Sequence, residues 1–212
     1  MSWGSQPRAV SLVLTGRRVL LRPLSASDFE AWREVRVRGR DWLLKWEPRP
    51  LPAQPDATQD RRVFAARCGA RERERQLGTG YGFGIFVGPK GDRFAGEINL
   101  SSVQRGPYQN AYVGYWIDED MAGRAYVPEA LVVVCRFAFD DLGLHRLQAS
   151  IIPRNDASHR VVQKLGLRSE GVAERYLEIN GVWEDHVRYA ITSEEWEVRR
   201  DALLSQWVLP AA

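Results

Sequence analysis

NAYVGYWIDEDMAGRAYVPEA, residues 110–130, opens as an alternating run, with Ala111, Val113, Tyr115 and Ile117 set against Tyr112, Gly114, Trp116 and Asp118. Period-two alternation marks a strand; the small, Gly-containing stretch after it marks a turn, and the apolar residues that follow start a helix. A helix entered from a tight loop leaves its first backbone N–H groups without intrahelical partners. Together with the helix dipole, those groups form a site for an anion such as a pyrophosphate. Pro128 suits the first helical turn, because its φ is already helical and no N–H is needed there. An ordinary strand-to-helix connection gives the same pattern, so the neighbouring sequence has to decide between them.

Upstream, residues 81–87 (YGFGIFV) and 93–100 (RFAGEINL) flank a Pro-Lys-Gly-Asp turn. With the strand of 110–117 they predict an antiparallel meander. Residues 18–23 (RVLLRP) predict a short strand closed by Pro23. Ser25 or Ser27 then caps a helix whose Phe29, Trp32 and Val35 or Arg36 share a face. The stretch 41–55 (DWLLKWEPRPLPAQP) is dense in aromatics and prolines. Its Trp42, Leu43 and Trp46 are either buried or wall a cleft, and burial is favoured because large aromatics contribute most by burial. Residues 56–76 predict a charged helix with Val63, Phe64 and Arg67 near one face and the RERER run solvated.

Downstream, a helix over 128–140 is apolar nearly all round and therefore buried. A strand at 145–152 (HRLQASII) follows, then Asn155 as the cap of a helix lined by Ala157, Val161, Val162 and Leu165 and ended by Gly166. Residues 171–179 and 183–191 around Asn180-Gly181 predict a hairpin, and Ser193 begins a last helix. No repeat or linker interrupts this order, which predicts one α/β domain over 17–208 after a loose arm at 1–16.

Composition narrows the function class. With 44% hydrophobic and 27% charged residues the chain is globular rather than disordered. The apolar run at 130–135 is too short to cross a bilayer, and the first fifteen residues lack the features of a secretory signal, so a cytoplasmic location is expected. Two distant cysteines, Cys68 and Cys135, point to reduced thiols, and neither sits near a histidine that would activate it. His145, His159 and His186 are scattered, so no metal is expected. A net charge of +3 favours an anionic ligand. The dispersion of the basic residues argues against direct nucleic-acid binding.

The order of these elements and several local motifs resemble the GNAT superfamily of N-acetyltransferases, and within it the ribosomal-protein-alanine N-acetyltransferases of RimJ/RimL type. The similar residues are Gly96-Glu97, Gly114-Tyr115-Trp116-Ile117, the run 123–131 (GRAYVPEAL), Phe137-Ala138-Phe139, Leu144-His145-Arg146, the run 153–158 (PRNDAS), Lys164-Leu165-Gly166, Glu170-Gly171 and Asp185. The likeness runs from about residue 17 to 191. It implies a central mixed, mostly antiparallel sheet with a splayed strand pair, flanked by helices. It also implies acetyl-CoA as donor and a primary amine as acceptor.

By the same resemblance, Trp116, Ile117 and Asp118 pair through their backbone with the pantetheine arm, and the backbone of Ala122, Gly123, Arg124, Ala125, Tyr126 and Val127 holds the diphosphate. The family loop reads Arg or Gln, two residues, Gly, one residue, then Gly or Ala, where this chain has Ala122, Ala125 and Val127. If the middle position needs φ > 0, Ala there costs on the order of 1 kcal/mol, and Arg124 is positioned to supply compensating charge. Asn155 is expected to bond the pantetheine, Ser158 to protonate the departing thiolate, and Lys164 to reach a coenzyme phosphate. Glu97 is the candidate base and a backbone N–H near Ile117 the oxyanion donor. Trp42, Trp46, Tyr176, Trp183 and Asp185 are expected to line the acceptor groove, although for Asp185 a structural role in the hairpin is favoured. The acceptor is expected to be the N-terminal α-amine of a ribosomal or other protein, with a small amine or a coenzyme-binding domain without turnover as alternatives. Monomer and homodimer stay open.

Overall fold

The alternating and apolar runs settle into one sheet of eight strands in a computed structural model, which describes residues 13–49 and 55–209. Strands β1 (Leu14–Thr15) and β2 (Val19–Arg22) lead through a 3₁₀ turn (Ala26–Asp28) into helices α1 (Phe29–Arg38), α2 (Arg40–Leu44) and α3 (Arg61–Leu77). The meander β3 (Tyr81–Val87), β4 (Arg93–Gln104) and β5 (Asn110–Ile117) precedes α4 (Tyr126–Arg136), which runs on into one π-helical turn, Phe137–Asp141. Strand β6 (Arg146–Ile151), α5 (Asp156–Lys164), the hairpin β7 (Arg168–Ile179) and β8 (Val182–Thr192), and α6 (Ser193–Trp207) complete the chain. The sheet order is β1-β2-β3-β4-β5-β6-β8-β7, and every pairing is antiparallel except that of β5 with β6.

Local chemistry accounts for most boundaries. Asp28 accepts from the Ser25 backbone N–H at 2.8 Å and takes both terminal nitrogens of Arg22, which ties the end of β2 to the entry of α1. Asn180 and Gly181 both adopt positive φ, as a two-residue hairpin turn requires. Two expectations need correction. Strand β4 runs four residues past Leu100, through a bulge where Ser102 has φ 50°. Of the arm expected at 1–16, residues 1–12 lie outside the described residues, whereas Leu14 and Thr15 pair with Leu21 and Leu20 and so are sheet, not arm.

The two faces of the sheet carry different layers. Helix α4, with every residue from Val127 to Cys135 buried, packs with Val162 of α5 and Trp196 of α6 on one face. Phe29, Trp32 and Val35 of α1 join Phe64 of α3 over Phe86 and Phe94 on the other. Burial also pushes the Cys135 thiol up to about 12, so it is inert core rather than a nucleophile.

Between the layers the sheet parts. Strand β5 pairs with β6 only from Asn110 to Tyr112, opposite Arg146 to Gln148. Beyond that point β5 stays with β4 as far as Ile117, while β6 stays with β8 as far as Ile151. The close approach of β4 to β5 at the far end requires Gly96, because a Cβ there would collide with the Trp116 carbonyl oxygen and the Ile117 backbone. Gly96→Ala is therefore expected to destabilise the fold by about 1–3 kcal/mol, the range for forced overpacking. A lower urea midpoint at unchanged m-value would show it.

Candidate active site

The parted strands open onto a cleft of about 1360 Å³ that passes from one face of the sheet to the other. Its wall along β5 follows from strand geometry, in which successive residues turn their N–H and C=O groups to opposite sides. The Asp118 N–H donates to Ala95 of β4 at 2.7 Å, whereas the Gln109 carbonyl accepts from the N–H groups of His145 and Arg146 at the β6 side. Odd-numbered residues of β5 thus face β6; the last bridge, Tyr112 to Gln148, still occupies the Val113 N–H, and beyond it the Val113 carbonyl and the backbone groups of Tyr115 and Ile117 face the gap without a strand partner among the described residues.

This corrects the sequence assignment of Trp116, Ile117 and Asp118. Only Ile117 turns its backbone to the cleft. Trp116 and Asp118 turn theirs to β4, and the buried Asp118 carboxylate is taken by Arg38 at 2.5 Å. The Ile117 carbonyl already accepts from Trp42 Nε1 at 3.1 Å, which leaves its N–H as the group without a partner among the described residues.

At the end of β5 a short turn, Glu119–Met121, leads to the helix entrance. Gly123 has φ 75° and Ala125 has φ 62°, so the left-handed conformation raised as a condition by the sequence is adopted by an alanine. Ala122, Gly123, Ala125, Tyr126 and Val127 line the cleft. The Arg124 side chain is exposed and stands outside that lining.

Opposite the loop, Asn155 Oδ1 caps α5 by accepting from the Ser158 N–H at 3.1 Å, which leaves its Nδ2 without a partner among the described residues. Ser158 Oγ lies 2.9 Å from the Tyr115 hydroxyl. Burial, only partly offset by that hydrogen bond, raises the Tyr115 phenol pKa well above its ordinary value, so Tyr115 keeps its proton, and either hydroxyl can donate in the pair. Arg160 and Lys164 extend the same wall.

The other half of the cleft lies on the second face. Glu97 of β4 is buried, and its two oxygens accept from Trp32 Nε1 at 2.8 Å and Arg67 Nη2 at 2.6 Å. Arg36 grips Glu47 through both nitrogens, at 2.5 and 2.7 Å, and holds the segment carrying Trp46 against α1. The half-buried Trp42 and Trp46 wall the cleft rather than enter the core; only their neighbour Leu43 is buried.

The structure does not bring the hairpin residues to this wall. Tyr176 packs against His186 and Arg188, Trp183 is 62% exposed near the turn, and Asp185 accepts from the Arg175 N–H at 2.8 Å, which makes it structural. The hairpin meets the cleft through other groups: Glu184 pairs with Arg154 at 2.8 Å, and Asn180 N–H donates to the Glu47 carbonyl at 2.9 Å. Trp32, Arg67 and Tyr115 were missing from the sequence-derived site. A signal existed for Arg67, a charge on the apolar face of its helix, but nothing local named its partner.

The arrangement suits a phosphorylated thioester coenzyme. It offers a free strand edge for an amide-bearing arm, helix-start N–H groups for a diphosphate, and basic side chains beyond them. Residues 18–168 match the acetyltransferase (GNAT) domain. The chain belongs to the GNAT acetyltransferases. This GNAT enzyme is 32% identical over 185 residues to the probable N-acetyltransferase YjcK of Bacillus subtilis (strain 168), with 87% of this chain and 99% of that one covered. It is 30% identical over 196 residues to the ribosomal protein uS5-alanine N-acetyltransferase of Escherichia coli (strain K12), covering 92% and 97%. Among solved structures, Mycobacterium smegmatis RimJ in complex with CoA-disulfide superposes with a TM-score of 0.78 at 30% identity, over 86% of this chain and 87% of that one. The protein is thus an acetyl-CoA-dependent N-acetyltransferase, and no helix among its described residues is long and apolar enough to cross a membrane.

The left-handed Ala125 makes a specific test of the loop. Ala125→Gly is expected to keep CoA affinity within about threefold, since the donors are backbone groups, whereas the β-branched Ala125→Val should cost about 1–3 kcal/mol of stability. Calorimetric titration with CoA and urea denaturation of the two variants check both outcomes.

Proposed function

We propose that this GNAT enzyme acetylates the N-terminal α-amine of a protein, a chain starting with Ala or Ser such as a ribosomal protein, in the cytoplasm. The observation that carries the reading is the placement of Glu97 and Ser158 on opposite faces of the sheet, both lining one gap. An amine reaching the gap from the second face meets a carboxylate, and a thiolate leaving on the first face meets a hydroxyl. The likeness to a uS5-alanine acetyltransferase over nearly the whole of both chains supports a protein α-amine as the acceptor.

When bound, acetyl-CoA supplies an acetyl thioester whose carbonyl carbon is open to attack. The residues of this chain do the rest. Asn155 Nδ2, the Val113 carbonyl and the backbone groups of Tyr115 hold the amide-bearing arm, and Arg160 and Lys164 attract phosphate. Glu97, held by Trp32 and Arg67, takes the amine proton directly or through a water. The Ile117 N–H donates to the carbonyl oxygen as negative charge develops there. Ser158 Oγ–H protonates the thiolate, and the Tyr115 hydroxyl donates to Ser158 Oγ as that proton moves.

An α-amine has a pKa near ~8 and is about a tenth neutral at pH 7, against less than a thousandth for lysine near ~10.4. An α-amine therefore asks little of the Glu97 carboxylate that Trp32 and Arg67 hold. kcat/KM is therefore expected to rise with pH and level off near ~8, where the acceptor becomes neutral. Glu97→Gln should lower kcat by about 10²-fold or more, the usual scale for a lost general base.

The deciding experiment incubates the enzyme with acetyl-CoA and short peptides beginning Ala or Ser, the same peptides with a blocked N terminus, and a panel of polyamines and aminoglycosides. Mass spectrometry should place one acetyl group on the free N terminus. Turnover of small amines with all peptides inert would overturn the reading, and coenzyme binding without transfer to any acceptor would replace it by a regulatory role.

A further inference from the structure

One ion pair next to the loop, with its carboxylate buried, takes no part in the chemistry above. Glu129, on the first turns of α4, is 1% exposed, yet it carries a carboxylate beneath the loop that is to hold a diphosphate. A buried charge of the ligand's own sign in that position would weaken binding unless something neutralised it. Arg18 does so. Glu129 Oε1 accepts from the backbone N–H groups of Arg18 and, at 3.0 Å, Val19, while Oε2 accepts from Arg18 Nε at 2.9 Å.

The rest of the guanidinium faces the loop. Arg18 Nη1 donates to the Arg124 carbonyl at 3.1 Å, Nη2 donates to the Ala125 carbonyl at 3.3 Å, and the group lies over the Tyr126 ring at 5.1 Å. In a trans peptide unit the C=O and the following N–H point in opposite directions. Fixing the carbonyls of residues 124 and 125 toward Arg18 therefore directs the N–H groups of Ala125 and Tyr126 away from it, and both residues line the cleft. Ala125 also sits in the left-handed region that an alanine tends to leave, so a peptide flip at this point would relax the backbone and turn a donor away.

We propose that Arg18, held by the buried Glu129, is the positioning residue of the diphosphate loop, clamping two carbonyls on the outer side so that two N–H groups face the coenzyme. The proposal rests on the reading that this loop holds the diphosphate. The fork geometry explains why the residue is arginine: one side chain satisfies a carboxylate and two carbonyls at once, which a lysine ammonium on a flexible stem does not.

The test uses ligands that differ at the diphosphate. Calorimetric Kd values for CoA and 3′-dephospho-CoA, which share it, are measured for the full chain and for Arg18→Met. The kcat/KM ratio of acetyl-CoA to acetyl-pantetheine, which lacks it, is measured alongside. Arg18→Met is expected to raise both Kd values by about tenfold or more and by the same factor, and to lower the donor ratio by about tenfold, with Arg18→Lys recovering only part of the loss. Because Arg18→Met leaves Glu129 buried and unpaired, the double variant Arg18→Met/Glu129→Gln, which removes that charge, is measured too. It should fold and still show the lowered donor ratio. A donor ratio or CoA Kd within twofold of the parent in the double variant would overturn the clamp. Equal kcat/KM for acetyl-CoA and acetyl-pantetheine in the parent enzyme would overturn the loop reading itself.

Discussion

Three residue pairs hold β5 to β6, and then the two strands separate. Backbone groups left unpaired inside a protein cost about 1–3 kcal/mol each unless something bonds them, so a sheet opened in its middle is stable only where water or a ligand reaches the exposed edge. The opening is held by pairings on either side. β4 keeps β5 through the glycine contact at Gly96, and β8 keeps β6 through Ile151. The exposed edge of β5, the proposed oxyanion donor at Ile117 and the passage between the two faces all derive from that separation.

A second regularity surrounds the opening. Three carboxylates near the cleft are buried, Glu97 on β4, Asp118 after β5 and Glu129 on α4, and each pairs with an arginine from the first third of the chain: Arg67, Arg38 and Arg18. Removing the arginine of such a pair is destabilising, because the carboxylate stays buried without its partner. The pairs thus tie α3, α1 and the turn before β2 to the sheet around the site. They also keep acidic groups near the proposed anion-binding loop without adding net negative charge there. Glu97 differs from the other two because it lines the cleft, so an incoming amine can share it.

On the two faces the same gap meets unlike surroundings. Toward α5 lie hydroxyls, an amide and dispersed positive charge; toward α1 and α3 lie indoles, the Glu97–Arg67 pair and the segment fastened by Arg36 and Glu47. In the proposed reaction this asymmetry puts the donor on one side and the acceptor on the other. It arises because helices of different composition cover the two halves.

The sequence by itself determined the elements and much of their order, because period-two alternation, glycine and proline punctuation, and the Asn155 cap are local signals. The hairpin at Asn180-Gly181 and the buried α4 were legible for that reason, as was the family, whose motifs are spaced along the chain. Which backbone groups face the gap was not legible, since it depends on the parity with which β5 meets β4, and that assignment moved from Trp116 and Asp118 to the odd-numbered residues. Nor were the partners of Glu97, Glu129 and Ser158, which stand 30, 111 and 43 positions away at Arg67, Arg18 and Tyr115. Hydrogen bonds and ion pairs act only at contact distance, and chain separation carries no trace of them. Tertiary structure alone decided that Trp42 and Trp46 wall a cleft while Tyr176 and Trp183 stand away from it, because burial depends on what packs opposite a side chain.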